Sequence, residues 1–295
     1  MATNRPRGFA AWKPQAESAD LLDQVQQVLA TYSNLLPLTG RQIFYSLVAT
    51  TGYGKTELAY KRLLNLLNRA RRAHIIDMAA IRIDSAMVAG AGRFRSDRDF
   101  LTACEHWAAS FQLDFMQYQP RHVEVLCEAG GMVPQLERVA EPYGVAVRSS
   151  GGFDSTTVKH QLGRLYGKQS KPVVVLHVGD LDPSGEHICS NLAEDVGAFT
   201  SHYGGELSVL RIAVTEDQQA AFDLPTAPTK PTDRRSFSAA FTVQAEALPP
   251  DALASIVRNA IEQQLDMAAL AQAIDHQQVL RADLQRRVAT LLTES

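Results

Sequence analysis

Residues Lys171–Ile188 read KPVVVLHVGDLDPSGEHI and indicate a parallel α/β fold. The segment Val173–Val178 is apolar and mostly β-branched, with His177 as the exception. Such a run, bounded by proline and glycine, predicts a strand buried on both faces of a parallel sheet. Gly179 ends this strand, and Pro183–Gly185 turn the chain into a helix.

Two carboxylates, Asp180 and Asp182, stand between this strand and its helix. The C-terminal ends of parallel strands are where α/β sheets bind ligands. Two carboxylates so close repel each other unless a cation lies between them, and oxygen ligands of this kind suit Mg²⁺. From this segment alone, the pair predicts either a magnesium site or two solvated loop acids, with Asp182 capping the helix.

Composition limits the classes of protein. A length of 295 residues predicts one large or two ordinary domains, and a hydrophobic fraction of 45% supports a sizeable core. The three cysteines, Cys104, Cys127 and Cys189, are far apart, which argues against a zinc site or disulfides and favours the reducing cytoplasm. No apolar run approaches the length of a membrane span, so no membrane partner is expected.

The charges are unevenly distributed along the chain. Residues 1–95 hold 13 Lys/Arg and 6 Asp/Glu, a balance of +7, whereas the remainder holds 16 and 26, a balance of −10. A basic N-terminal third is typical of a segment that contacts nucleic acid.

The basic third reads as a helix-turn-helix. Thr39 and Gln42 form a predicted capping box at the start of the second helix, and Thr51–Gly54 form a turn before a third helix, from about 56 to 73. His74–Asp84 is expected to form a wing or a strand-like extension. The cations of the third helix are expected to contact DNA phosphates. They are Lys61, Arg62, Arg69, Arg71 and Arg72. The alternative is a solvated basic helix in a purely structural bundle.

The remaining chain alternates strands and helices, which predicts a parallel sheet. We expect strands at His122–Cys127, Val145–Arg148, Val173–Val178 and Glu206–Val214. Glu128 then follows the first strand and the two aspartates follow the third, so three carboxylates converge on one edge of the sheet. This convergence favours the magnesium site over solvated loop acids.

Three motifs of this region resemble the A subunit of topoisomerase VI and the related meiotic double-strand-break proteins. They are EAGGM at Glu128–Met132, GGFDS at Gly151–Ser155 and GDLDPSG at Gly179–Gly185. In that family an N-terminal winged helix precedes a toprim domain, in the order seen here. The family's R-x-I-[FY]-Y motif is similar to RQIFY at Arg41–Tyr45.

The resemblance implies an α/β fold with an N-terminal winged-helix domain, a toprim-type parallel-sheet domain and C-terminal helices. It implies that Glu128, Asp180 and Asp182 bind Mg²⁺ or Mn²⁺. Tyr45 would attack double-stranded DNA, leaving a 5′-phosphotyrosyl link, and Arg41 would assist it. A type IIB topoisomerase-like homodimer, a separate ATPase subunit and a cytoplasmic, nucleoid-associated location are also implied.

The chain departs from the family pattern in ways that keep alternatives open. Ala129 stands where the family has lysine, and the chain is shorter than a topoisomerase VI A subunit, so it resembles a minimal, mobile-element version. One alternative is a toprim nuclease that hydrolyses DNA, with Tyr45 packed structurally beside Phe44, Leu47 and Val48. Another is a DNA-binding protein without catalysis.

These patterns predict five segments. They are a flexible arm (1–18), a winged-helix DNA-binding domain (19–95), a linking helix (96–120), a toprim domain (121–222), and a wrapping loop with C-terminal helices (223–295). The stretch ATTGYGKT at Ala49–Thr56 is similar to a phosphate-binding P-loop, but alanine replaces the first glycine and a helix precedes it. We interpret it as the turn of the helix-turn-helix.

Overall fold

The protein contains a four-stranded parallel sheet, as the alternation of strands and helices predicts. The computed structural model describes residues 7–82, 93–149, 155–228, 239 and 241–294. The order of the strands across the sheet is 2-1-3-4, so β1 and β3 are neighbours. In chain order the strands are β1 (His122–Cys127), β2 (Ala146–Ser149), β3 (Val173–Val178) and β4 (Leu207–Ala213).

Along the chain, helices come before, between and after the strands, and they account for most of the described residues. A π-helical turn at Leu192–Val196 joins α7 to α8. The helices are α1 (Ala16–Thr31), α2 (Gly40–Thr51), α3 (Glu57–Arg72), α4 (Asp97–Ala109), α5 (Val133–Ala140), α6 (Thr156–Gly167), α7 (Pro183–Asn191), α8 (Gly197–His202), α9 (Glu216–Phe222), α10 (Pro250–Glu262) and α11 (Met267–Glu294).

The strand β3 is buried along its whole length, which confirms the prediction from its largely apolar run. Alternate side chains of a strand point to opposite faces. On one face Val174, Leu176 and Val178 join a hydrophobic core to which α5 and α10 contribute Leu136 and Val257. This core fixes the strand ends, and therefore the acidic segments that follow β1 and β3.

The capping box predicted at the second helix is present. The Thr39 side chain accepts a hydrogen bond from the Gln42 amide at 3.1 Å, and the Gln42 side chain accepts one from the Thr39 amide at 2.8 Å. Gly52 ends α2 in the left-handed conformation with φ 71°, which favours glycine, and Thr56 caps α3. The turn between α2 and α3 therefore forms as the sequence predicts.

The described part of the predicted flexible arm is packed rather than free, which corrects that prediction. The Gly8 amide donates to the Asp195 carboxylate at 2.8 Å, and the Ala10 amide donates to the Arg72 carbonyl at 2.9 Å. The Phe9 ring stacks on His74 with centroids 4.0 Å apart. These contacts anchor the segment, and α1 already begins at Ala16.

The segment expected to form a wing contains a short 3₁₀ turn at Met78–Ala80 and a two-residue strand at Ile81–Arg82. This strand pairs in parallel with Leu38–Thr39. Residues 83 and 84 of the predicted wing lie outside the described residues, as do most of the GGFDS motif and positions 229–238 of the predicted wrapping loop.

The chain divides into two compact units that do not follow the borders of the predicted segments. The first unit takes in residues 1–86, 150–170 and 183–209, and the second takes in 87–149, 171–182 and 210–295. The helices α6–α8 thus belong with α1–α3, because Asp195 and Lys159 form a buried ion-pair network with Arg72. Within the described ranges, no helix is both long and apolar enough to cross a bilayer.

Candidate active site

The three predicted carboxylates follow β1 and β3, where these neighbouring strands end. Cys127 is in register with Val178, and the Glu128 amide donates to the Val178 carbonyl at 2.8 Å. In the order 2-1-3-4 the chain leaves β1 and β3 toward opposite edges of the sheet, which creates a crevice at their carboxyl ends. Glu128, Asp180 and Asp182 therefore lie at the position where open α/β sheets bind ligands.

Glu128 and the aspartates lie close enough to influence one another's charge. The Asp180 amide donates to Glu128 Oε2 at 3.1 Å. Burial raises the pKa of Glu128, and the negative charges of Asp180 and Asp182 raise it further. The hydrogen bond from the Asp180 amide lowers this pKa and offsets part of the increase. Burial likewise raises the pKa of Asp180, whose Oδ1 accepts from the Ala245 amide at 2.8 Å. Glu128 and Asp180 thus lie side by side in a partly desolvated crevice, where the charge of Asp182 also acts on them.

The potential ligands in this crevice are carboxylate oxygens, which suit a hard divalent cation such as Mg²⁺ or Mn²⁺. A cation bound there would also reduce the repulsion between the carboxylates. The side chains do not stand in one ligand cluster, since no group of three His, Cys, Asp or Glu in the described ranges is placed to hold a metal ion. Glu128 and Asp180 each use one oxygen for a backbone amide. The three carboxylates therefore do not form a ready-made metal site in this arrangement.

A fourth acid, Glu246, belongs to this crevice, and the sequence prediction missed it. Its charge raises the pKa of Asp180, after the larger effects of burial and Asp182. An antiparallel bridge between Leu181 and Val243 brings the segment VQAEAL to the end of β3. The only signal in the sequence is a single glutamate in a short apolar segment, far from the strand motifs.

Two basic side chains near the end of β3 were also missed. Arg211 on β4 donates to the backbone carbonyls of Gly179, Asp180 and Val214, which holds the acidic loop in place. His177 is fully buried, and neither ring nitrogen has a hydrogen-bond partner among the described residues. Burial, together with the charge of Arg211, lowers the pKa of His177 to about 4, so the ring is neutral at pH 7.

Gly179 is required by the close approach of the acidic crevice to β3. A Cβ at this position would lie 2.5 Å from His177 Cε1 and 2.7 Å from Glu128 Oε2. Contacts this short do not occur in folded proteins, so any side chain would displace Glu128.

Tyr45 does not pack inside the helical core. It is 54% exposed, whereas its neighbours Phe44 and Leu47 on α2 are buried in that core. Arg41 lies one turn earlier on α2, on the same side of the helix. The structure therefore favours an accessible Tyr45 over the alternative of a structural aromatic.

A cavity of about 230 Å³, which we call the tyrosine pocket, lies beside Tyr45 within the first unit. Lys55, from the turn before α3, lies over the Tyr45 ring with its Nζ 5.9 Å from the ring centroid. The pocket is lined by Arg41, Phe44, Tyr45, Lys55, Thr56, Glu57 and Tyr60. An exposed tyrosine and two cations, Arg41 and Lys55, thus line one concave surface.

Three of the five cations predicted to contact DNA from α3 are exposed. Lys61 pairs with Glu57 at 2.7 Å and Arg62 with Glu17 at 2.7 Å, and Arg69 is exposed as well. Exposed ion pairs of this kind contribute little to stability, so both cations can exchange their partners for phosphates.

The prediction that Arg71 and Arg72 contact DNA is wrong, because both side chains are buried. Arg71 donates to the Met78 carbonyl at 2.9 Å and to Thr157 Oγ1 at 2.7 Å. Burial, followed by the charge of Arg72, lowers the pKa of Arg71 to about 10. Arg72 forms a bidentate pair with Asp195 at 2.8 and 2.7 Å. Both side chains hold the first unit together instead.

No protein-family model matches this chain, and no curated protein shows significant similarity to it. The function therefore has to be argued from the acidic crevice, the tyrosine pocket and the exposed cations of α3.

Proposed function

We propose that this protein cleaves DNA by transesterification, with Tyr45 as the nucleophile, in the manner of the topoisomerase VI A subunit that its motifs resemble. The observation that carries the proposal is the exposure of Tyr45 in a pocket lined by Arg41 and Lys55. Phe44, its neighbour on the same helix, is buried in the core instead. The winged-helix and toprim assignments of the two regions belong to the same proposal.

The chemistry requires a phenol, a cation at the phosphate and a departing hydroxyl. Tyr45 Oη forms a bond to the DNA phosphorus and gives up its proton, while the bond from phosphorus to the 3′ oxygen breaks and that oxygen takes up a proton. The product is a 5′-phosphotyrosyl link and a free 3′-hydroxyl. A phenol is a weak nucleophile at neutral pH, so it needs a nearby cation, and the Arg41 guanidinium can bind the phosphate oxygens.

The acidic crevice has a separate role in this proposal. Glu128, Asp180 and Asp182 would hold a Mg²⁺ or Mn²⁺ ion, which when bound supplies positive charge for the phosphate. Ala129 leaves this crevice without the lysine of the family pattern. In the family, the tyrosine of one protomer faces the metal site of the other, so we propose a homodimer acting on double-stranded DNA, with a separate ATPase subunit, in the nucleoid-associated cytoplasm.

A second candidate function is hydrolysis of DNA by the acidic crevice alone. The mutual influence of Glu128, Asp180 and Asp182 at the ends of β1 and β3 favours it, because a carboxylate-bound metal can activate water without a tyrosine. The two candidates differ in their products. Transesterification leaves protein attached to 5′ ends, whereas hydrolysis leaves free ends.

The deciding experiment incubates the full chain and duplex DNA with Mg²⁺ or Mn²⁺ and stops the reaction with detergent. One substrate carries a 3′-end label and a matched one carries a 5′-end label. We expect the 3′-labelled fragment to migrate with the protein until protease is added, because the protein is attached to its 5′ end. Cleaved DNA that is free of protein in both substrates would support hydrolysis, and intact DNA under all conditions would reject both candidates.

The exposed cations of α3 predict a measurable salt dependence. Replacing Lys61, Arg62 and Arg69 together by glutamine is expected to reduce the slope of log affinity against log salt by about 2.7, at about 0.9 for each phosphate that the protein no longer neutralises. Affinity should fall similarly for all DNA sequences, because backbone contacts carry no sequence information. Fluorescence anisotropy over a salt series measures both quantities.

The matched control replaces Arg286 and Arg287 of α11, which are also exposed and paired with an acid, Asp283. Their glutamine variants should keep the wild-type slope. Equal slopes for the α3 variant and the wild type would place the DNA surface elsewhere on the protein.

A further inference from the structure

The tyrosine pocket contains a cation that no sequence motif assigned to the site. Lys55 belongs to the stretch ATTGYGKT, which the sequence identifies only as a turn. In the structure, Gly52 ends α2 with φ 71° and Thr56 caps α3, so Lys55 is the last residue before the cap. This turn places the Lys55 ammonium over the face of Tyr45.

The charges around the pocket favour an anion. Arg41 and Lys55 are positive, and Glu57, the one acid among the described residues of the lining, pairs with Lys61 at 2.7 Å. The first residues of α3 also line the pocket, and the N-terminus of a helix carries a partial positive charge. A concave surface with excess positive charge attracts a negatively charged ligand.

The volume and the lining residues of the pocket limit which anions it can bind. Its volume of about 230 Å³ lies below the roughly 300–1,000 Å³ of sites that enclose a whole small molecule. The aromatic rings of Phe44 and Tyr60 meet edge to face at 5.1 Å and are part of its lining. A phosphodiester that enters as part of a longer backbone fits this space better than a complete free nucleotide.

We infer that Lys55 is a DNA-binding residue of the tyrosine pocket, where it contacts the backbone phosphodiester that is presented to Tyr45. The inference rests on the proposed function and deepens it, since it names a second cation beside Arg41. An ammonium on a flexible stem has three donors and can turn from the Tyr45 ring to phosphate oxygens. Because Lys55 is exposed, its replacement leaves the core intact.

The test replaces Lys55 by methionine, which keeps the length of the side chain and removes its charge, and by arginine, which keeps the charge. DNA binding is measured by anisotropy in a Tyr45→Phe background, so that no DNA is cut. We expect Lys55→Met to lower the affinity about tenfold and the salt slope by about 0.9. Lys55→Arg should retain the slope, and Lys168→Met, at an exposed lysine after α6, is the matched control.

The outcomes separate this inference from the proposed function. If DNA binding depends on Lys55 but the wild type forms no covalent adduct, transesterification is rejected. The inferred contact between Lys55 and the phosphate is then still supported. Adduct formation that Lys55→Met leaves unchanged, with unchanged affinity and slope, would overturn the inference alone. ATP and inorganic pyrophosphate are titrated in parallel; ATP binding that depends on Lys55 and excludes duplex DNA would assign the pocket to a free nucleotide and also overturn it.

Discussion

Tyr45→Phe is expected to fold and bind DNA like the wild type, yet to form no covalent adduct and no strand break. The substitution removes only the phenol oxygen, and the ring keeps its edge contact with Phe44 at 5.5 Å. Loss of the attacking atom in enzymes with a covalent intermediate costs on the order of 10⁶ in rate. Quantification of protein-linked DNA after denaturation measures this loss directly.

The control for this variant is another exposed tyrosine of the same unit. Tyr32, just after α1, is 38% exposed, and Tyr32→Phe should retain full adduct formation. Equal melting temperatures for the two variants would show that the loss is chemical rather than structural. Robust cleavage by Tyr45→Phe would remove the transesterase proposal and leave hydrolysis as the surviving candidate.

Asp180→Asn cannot distinguish the two mechanisms, because both need the acidic crevice. The Asp180→Asn variant tests instead whether the acidic crevice takes part in DNA cleavage. The Asp180 carboxylate accepts the Ala245 amide at 2.8 Å, and the asparagine oxygen can keep this bond, so the fold of the loop is maintained. A variant that cleaves DNA normally would exclude Asp180 from the reaction.

The strands and helix starts follow from local patterns, and this is why the sequence predicts them well. The largely apolar run of β3 and the capping box of Thr39 depend on residues that are close in the chain. The crevice acids were also predictable, because parallel strands end at a common edge. Each of these features needs only a few consecutive residues and one general rule.

Features that depend on distant segments were not predictable in this way. Arg71 and Arg72 follow Arg69 on a basic helix, and nothing nearby shows that they are buried. Their partners Thr157 and Asp195 are 86 and 123 residues further along the chain. Glu246 was missed for the same reason, since the bridge from Val243 to Leu181 and the hydrogen bond from the Ala245 amide to Asp180 bring it to the crevice.

The ion pair of Arg72 and Asp195 gives the second large expected effect. Both side chains are buried, with 7% and 3% exposed, and Lys159 Nζ lies 3.2 Å from the same carboxylate. Asp195→Asn keeps the shape of the side chain but leaves two buried cations without their counter-charge. We expect a loss of about 3–5 kcal/mol in the free energy of unfolding, which is typical of breaking a buried pair at one partner.

The half-buried acid Asp283 supplies the comparison, because it also pairs with two cations, the exposed Arg286 and Arg287. Asp283→Asn should cost less than about 1 kcal/mol, since solvent screens exposed pairs. Urea unfolding at pH 7, followed by circular dichroism, measures both variants. Equal stabilities for Asp195→Asn and Asp283→Asn would show that the buried network contributes nothing beyond a surface pair.

The pH dependence of this loss has a definite sign. Burial alone would raise the pKa of Asp195, but hydrogen bonds from Arg72 and the Gly8 amide, with the charges of Arg72 and Lys159, hold it below its ordinary value. A lowered pKa in the folded state stabilises the protein above the unfolded value of about 3.9, and the effect disappears as the pH falls through the folded pKa. The stability gap between the wild type and Asp195→Asn should therefore be constant from pH 7 to about pH 5 and narrow below about pH 4. A gap that stays constant down to pH 3, or that widens there, would contradict the ionised carboxylate as the stabilising partner of Arg72.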